Sequence, residues 1–350
     1  FLNTGNTQAP GLMAIRSLPN YLIAIVVFLF VFRVPAAEAV DIKIATLAPN
    51  QSQWMQDMRT ASQLIEEKTE GRVRLKFYGG GVQGTEDKVL QKIKIGQLHG
   101  GTFSATDFME DYGAINLYGL PFVFRSWNEI RYVREHMDSV LEGGFAELNF
   151  VTFGIAGSFS VVLSNEPVST YADMKGKKVW LPQGDFVSYE AMRRLQLSPV
   201  ALPVTDVLTG LQTGLLDIVT IPPEFAVALQ WHTRVKYVTN MPVAFAMSFL
   251  AINKRTFDRL SVDDQHVVSK VLSDVYTKID TNAPLESQNA MEALKSIGVT
   301  QIEPQQGQFQ ELEEVMAAFN RDMALEGAYP VDLYDEMLGF LYEIRNGTSQ

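Results

Sequence analysis

Apolar and polar residues alternate, or recur at helical spacing, along most of the chain. Val40 to Leu47 (VDIKIATL) alternates and predicts a strand. Trp54, Met55, Met58, Ala61 and Leu64 recur on one face of Ser52 to Glu70, which predicts an amphipathic helix stopped at Gly71. Arg72 to Tyr78 alternates again, a glycine-rich turn from Gly79 to Gly84 follows, and Thr85 to Ile95 reads as a helix. Gln97 to Phe103 reads as a turn and strand, Leu117 to Phe124 as an apolar run broken by Pro121, and Asn128 to Leu148 as mostly helical. Phe150 to Leu163 has the pattern of a strand with glycine bends, able to cross between domains.

The next stretch, Met174 to Pro223, organises the rest. Lys177 to Leu181 (KKVWL) is a short β-prone run, and Phe186 to Leu195 carries apolar residues at helical spacing. Thr205 and Asp206 suit a helix N-terminus, Gly214 suits its end, and Leu215 to Ile221 has the composition of a buried strand. Such a unit sets strand ends and helix N-termini along one sheet edge, where α/β proteins bind small ligands. Beyond it, Val243 to Ile252 predicts a long returning strand. Ser261 to Leu294 predicts a helix long enough to bridge two lobes, with a kink expected at Pro284. Phe309 to Met323 and Val331 to Ile344 read as closing helices. The order predicts a two-lobed α/β fold with a ligand between the lobes.

The first residues have another pattern. The chain begins with Phe1, and Met13 reads as a more natural start; Arg16, the apolar run Tyr21 to Phe32 and Ala37-Glu38-Ala39 follow in the order of a secretory signal peptide. A membrane anchor is the alternative reading, but a span needs about 20 apolar residues and Pro35 follows closely. Cleavage after Ala39 would remove 39 of 350 residues and leave 311. Losing Arg16, Arg33 and Glu38 takes 29 basic and 40 acidic residues to 27 and 39, a net charge of −12. That acidity argues against nucleic acid as a partner, since a nucleic-acid face is basic. The chain has no cysteine, which excludes disulfides, thiolate metal ligands and thiol catalysis.

Little in the sequence points to catalysis or to a cofactor. His99, His136, His232 and His266 are scattered, with no metal-binding spacing. No G-x-S-x-G elbow or Walker loop occurs. Gly79 to Gly84 spells G-x-G-x-x-G, but it follows the second strand of its unit and no acidic residue ends a third strand at the proper distance. A glycine turn with positive φ values is the better reading.

The segments EEKTEGRVRLKFYGGGVQG, VLQKIKIGQLHGG, LPFVFRSWNEI, SNEPV, DMKGKKVWLP, LPVTDVLTGLQTGLLDIV, VKYVTN and INKRTFDRLSVDDQHVV, in this order, are together specific. The chain resembles the DctP-type solute receptors of tripartite ATP-independent periplasmic (TRAP) transporters over nearly all of its mature length. The resemblance implies a periplasmic-binding-protein fold with an interlobe cleft, a β-strand hinge and a long helix spanning both lobes. From it, lobe I is expected over 40–157 plus 246–286, and lobe II over 158–245 plus 287–350. It further implies a periplasmic, monomeric receptor that passes one small solute to membrane permease subunits, without catalysis, cofactor or metal. A ligand-sensing protein feeding a signalling partner is the other non-enzyme possibility.

The family's carboxylate-clamping arginine lies in a K-K-x-R-x-P strand, where this chain has Trp180. A second arginine position falls, by counting, on Phe159, and a polar ligand contact falls on Ile221. Val204 matches an apolar or aromatic contact, and Glu86 and Ser104 match first-lobe contacts. Bidentate arginine bonds are what make a buried carboxylate affordable. Phe159 and Trp180 cannot make them, so a neutral, apolar or aromatic solute is expected, with Phe159, Trp180 and Ile221 in one pocket wall. Its polar ends would meet Ser104, Thr220, Glu224 or the Trp180 indole N–H. The alternative is an organic acid clamped by an arginine from elsewhere, Arg125, Arg193 or Arg194.

Overall fold

The computed structural model describes Gly5 and residues 39–347 apart from 306, 308 and 309. The expected signal peptide therefore lies outside the described residues except for Gly5 and Ala39, as does Phe309 at the start of an expected helix.

The elements in chain order are β1 (Val40–Ala45), α1 (Gln53–Lys68), β2 (Val73–Tyr78), α2 (Glu86–Lys94), β3 (Gly100–Ser104), α3 (Trp127–Glu147), β4 (Phe150–Ser164), β5 (Lys178–Pro182), α4 (Phe186–Arg194) and β6 (Ser198–Leu202). Then come α5 (Val207–Thr213), β7 (Ile218–Ile221), α6 (Pro223–Ala228), β8 (Tyr237–Asn253), α7 (Lys254–Phe257), α8 (Val262–Ser296), β9 (Thr300–Ile302), α9 (Gln310–Leu325) and α10 (Val331–Asn346). The side chain of Ser52 accepts from the Met55 N–H and starts α1, and Ser261 does the same for α8 through Asp264. On α1 the buried face is Met55, Met58, Ala61 and Ile65, so Ile65 rather than the expected Leu64 seats the last turn. Gly214 ends α5 in the left-handed conformation at φ +71°.

The strands form one sheet in the order β2-β1-β3-β8-β4-β7-β5-β6, with β9 beside β8. β4 and β8 are long, 15 and 17 residues, and run antiparallel to each other. β3 pairs with β8 from Ser248 to Ile252, and β7 pairs with β4 from Val161 to Ser164. Between those stretches Gly157 to Ser160 face Met247 to Ala244 as a two-stranded ribbon. Two strands alone are the least supported part of a sheet, so this ribbon is where its halves can move relative to each other.

Helix α8 lies across both halves and continues through Pro284 for 35 residues. Val268, Leu272 and Tyr276 pack in a cluster with Ile42, Ile44 and Ile65 of the first half. Leu294, near its other end, packs with Val219, Trp180 and Leu211 of the second. A third cluster, rich in aromatics, contains Phe103, Phe108, Phe145 and Phe249. Arg134 of α3 is buried beside the ribbon, bonded to Asp138 at 3.0 Å, to Asp280 of α8 at 2.6 Å and to the Ile155 carbonyl at 2.7 Å.

Candidate functional site

The carboxyl ends of the strands from the two halves approach each other, the place where open α/β sheets take ligands. On the first side are the ends of β1 and β3 and the glycine turn after β2. Gly80, Gly81 and Gly84 have φ values of +69°, +71° and +102°, conformations open to glycine, as the turn reading requires. A Cβ placed on Gly81 would lie 3.2 Å from Leu47 Cδ2 and 3.5 Å from Thr205 Cγ2. Thr205 belongs to the turn that starts α5, so the two sides touch here.

The first wall is mixed, with four polar side chains set among Ala45, Leu47, Val89 and two glycines. Thr46, Gln83, Glu86 and Thr102 line a cavity of about 10 Å3, room for about one water. Thr102 Oγ1 donates to Thr46 Oγ1 at 2.7 Å. Next to it, the Ser104 N–H and hydroxyl donate to Asp107 Oδ2 at 2.7 and 2.9 Å, closing a capping box. Asp107 was not among the residues expected from sequence; the spelling Ser104-Ala105-Thr106-Asp107 is the signal that carries it. Burial pushes the Asp107 carboxyl up to about 7, the charge of Glu86 adds to this, and the Ser104 bonds oppose it. Burial also raises Glu86, with a smaller push from Asp87.

The second wall is aromatic and apolar. Trp180 is 4% exposed, its ring meets Trp231 edge-on at 5.1 Å, and its Nε1–H donates to the Leu202 carbonyl at 3.0 Å. The indole N–H is thus bonded within the protein and is not the free donor expected. Ile221 shares this cluster and Val204 packs against it. Phe159 does not join them. It lies in the aromatic-rich cluster, edge-on to Trp127 at 5.2 Å and to Phe245 at 5.4 Å. The expected common wall of Phe159, Trp180 and Ile221 is therefore not formed. Thr220, half-buried, pairs with Val162 of β4.

Glu224 sits in the first turn of α6, three residues beyond Ile221. Its Oε2 and the Ser158 Oγ of the ribbon are both buried without a hydrogen-bond partner of good geometry among the described residues. Burial pushes Glu224 up to about 7; the nearby Ser158 hydroxyl acts in the opposite sense without completing a bond. No lysine or arginine is among the groups setting Glu86, Asp107 or Glu224. The three arginines considered as substitutes are engaged elsewhere. Arg125 pairs with Glu313 at 2.9 Å, Arg193 with Glu190 at 3.7 Å and Arg194 with Asp322 at 3.1 Å. A larger groove, of about 520 Å3, runs between α4 and α9 and is lined by no strand-end residue. Among the described residues no three His, Cys, Asp or Glu side chains gather as for a metal, and no helix is long and apolar enough to cross a membrane.

Residues 44–326 match the model of the bacterial extracellular solute-binding proteins, family 7, of DctP type. The chain belongs to that family. The family 7 chain is 25% identical over 219 residues to the uncharacterised protein YiiZ of Salmonella typhimurium, covering 60% of this chain and 65% of that one. It is 23% identical over 241 residues to the 2,3-diketo-L-gulonate-binding periplasmic protein YiaO of Escherichia coli, covering 67% and 73%. Two solved TRAP periplasmic solute-binding proteins share its fold. One, from Desulfovibrio salexigens with bound orotic acid, superposes with a TM-score of 0.78 at 18% identity, over 87% of this chain and 99% of that one. The other, from Pseudomonas putida with bound D-glucuronate, gives 0.77 at 21% identity, over 85% and 96%. The family 7 chain is thus a bacterial extracellular solute-binding protein with the two-lobed fold of the solved TRAP periplasmic solute-binding proteins.

Proposed function

We propose that this receptor captures a small hydroxylated organic acid between its lobes and passes it to the permease subunits of a TRAP transporter. The observation carrying the proposal is the set of polar side chains in the first wall, where Thr46, Gln83, Glu86 and Thr102 share a cavity beside Ser104 and Asp107. Hydroxyls and carboxylates converging there suit the hydroxyl groups of a sugar-acid-like solute. This reading replaces the neutral, apolar or aromatic solute expected from Trp180 and Phe159. The solutes of the named relatives, orotic acid, D-glucuronate and 2,3-diketo-L-gulonate, are acids and conflict with that expectation. Glu86, Ser104, Val204, Thr220, Ile221 and Glu224 remain the proposed contacts, with Trp180 and Phe159 shaping the site from behind. Lobe I over 40–157 plus 246–286, lobe II over 158–245 plus 287–350, a cleaved signal peptide and a monomeric periplasmic form belong to the same proposal. Isothermal titration with orotate, D-glucuronate, 2,3-diketo-L-gulonate, glucose and indole tests it. Saturable heat from at least one acid is expected; binding of glucose or indole alone would overturn it.

A further inference from the structure

A buried carboxylate solute needs hydrogen-bond donors, and the three arginines considered above lie exposed, paired with Glu313, Glu190 and Asp322. The indole of Trp180, at the family's arginine position, is bonded to the Leu202 carbonyl. What lies close by in the chain is a pair of unfinished polar groups. Glu224 Oε2 and Ser158 Oγ are buried, and among the described residues neither has a hydrogen-bond partner of good geometry, although the Ser158 hydroxyl is near enough to act on the Glu224 carboxyl. Buried polar atoms are so rarely left unsatisfied that each asks for a cause. Glu224 follows the carboxyl end of β7, three residues after Ile221, which shares the cluster of Trp180. Ser158 lies in the two-stranded ribbon between the sheet halves. One group is thus fixed to the second half and the other to the strand joining the halves, so a ligand bonded to both would tie the ribbon to the second lobe.

We infer that the Glu224 carboxyl, in its protonated form, and the Ser158 hydroxyl are the donors that hold the solute's carboxylate in place of an arginine. Capture takes one proton from solvent: Glu224 carboxylate, solute carboxylate and a proton become one acid–carboxylate pair with the proton between them. Two carboxylates cannot both stay charged in such contact, which enforces the uptake. A neutral carboxylic acid kept as a hydrogen-bond donor by an apolar surround has precedent in enzyme sites. Burial likewise pushes Glu224 up to about 7. Helix α6 packs against α8 and the 3-10 turn Trp231–Arg234. The ionisable groups those elements bring are Glu286 and Glu292 with Lys295 from the facing end of α8, and His232 and Arg234 from the turn. Of these Glu286 acts on Glu224, raising it further, while the His232 ring is bonded to the Ala226 carbonyl.

The inference rests on the organic-acid reading, and the test separates the two. Titrations with D-glucuronate, orotate and 2,3-diketo-L-gulonate would be run from pH 6 to 9, at each pH in two buffers of different ionisation enthalpy. For the acid that binds, close to one proton taken up at pH 8.5 is expected, with Kd rising about tenfold per pH unit above 7. Glu224→Gln keeps a neutral donor and should bind with a flat profile. Wild-type binding of an acid with no proton uptake and a pH-independent Kd would overturn the inference and leave the organic-acid reading standing. Failure of all three acids to bind at any pH would remove both. The uptake is read on the unaltered protein, so the inference stays falsifiable even if the Gln variant fails to fold.

Discussion

Asp107 illustrates how one side chain can be necessary for local structure and still costly as a charge. It accepts two bonds from Ser104 and closes the turn after β3, yet burial and Glu86 push its carboxyl from 3.8 up to about 7. An acid whose folded value exceeds its unfolded value binds its proton more tightly when folded. Stability therefore falls as pH rises from about 4 to about 7 and is flat above. Asn stays neutral and its Oδ1 can still accept from Ser104, so Asp107→Asn should be more stable than wild type at pH 8. At 1.36 kcal/mol per unit the gain is on the order of 1–4 kcal/mol, and it should vanish near pH 4. Thermal melts of both proteins at the two pH values check this; a variant less stable at pH 8 would mean that the charge itself holds the turn. The same residue marks what sequence could deliver. Ser104 was placed at the site by resemblance, and its partner was spelled three residues on, but nothing in the spelling says that the box is buried against Glu86. Phe159 was harder. Counting back from Ser164 assumes an unbroken strand, and β4 carries a register shift between Ser160 and Val162. The shift comes from three extra residues on β8, which runs from Ala244 to Thr239 while β4 runs from Ser160 to Val162, and Phe159 lies with Trp127 and Phe245 rather than with Trp180.

At the scale of elements, periodicity was enough for the long amphipathic pieces: α1, α3, α8 and α10 each begin within two residues of the expected start. It could not show that Tyr237–Thr239 and the later apolar run are one strand, because the two were separated by Asn240 and Pro242. Nor could it show what docks the last helix. Arg345 of α10 forks onto Glu129 of α3 with two contacts of 2.9 Å and donates to the Val123 carbonyl at 2.7 Å. Burial would raise the Glu129 carboxyl, but Arg345 and the Arg125 N–H outweigh it and hold it below its ordinary 4.5. That stabilisation is present above the ordinary value and is lost as pH falls through the lower folded one. Removing the guanidinium leaves a buried acid without its partner, a change that costs about 3–5 kcal/mol when fully enclosed. Arg345 is 31% exposed on its side chain, so about 2–3 kcal/mol is expected for Arg345→Ala once solvent screening is allowed for. Hydrogen exchange should then speed up across Val331–Asn346 while α1 keeps its protection; equal acceleration in both would mean that α10 is no separate unit.

For the molecule as a whole, the decisive feature is that a sheet spanning both halves narrows to one two-stranded ribbon while α8 runs alongside. Hinged closure about the ribbon must move the glycine turn of the first half relative to the turn before α5. Those turns touch at Gly81 and Thr205, where a Cβ on Gly81 would stand 3.5 Å from Thr205 Cγ2. The protein has no cysteine of its own, so a Gly81→Cys, Thr205→Cys double variant would carry a single possible disulfide. The 3.5 Å contact is to a γ atom, where the sulfur of a cysteine at position 205 could sit, so bringing the two Cβ atoms to the about 3.5–4.5 Å of a disulfide takes a modest approach of the turns. The left-handed backbone at residue 81 would cost a Cys about 1–2 kcal/mol, small beside a typical domain stability of 5–15 kcal/mol. Under mild oxidation the bond should form faster when a binding solute is present, because the solute favours the state in which the turns meet. Once formed, it should block exchange of bound solute, and reduction should restore it. Non-reducing gel shift follows the bond, and competition with unlabelled solute follows the exchange. A disulfide that forms at the same rate with and without solute, and leaves exchange unchanged, would mean that solute enters by a route that does not part these turns.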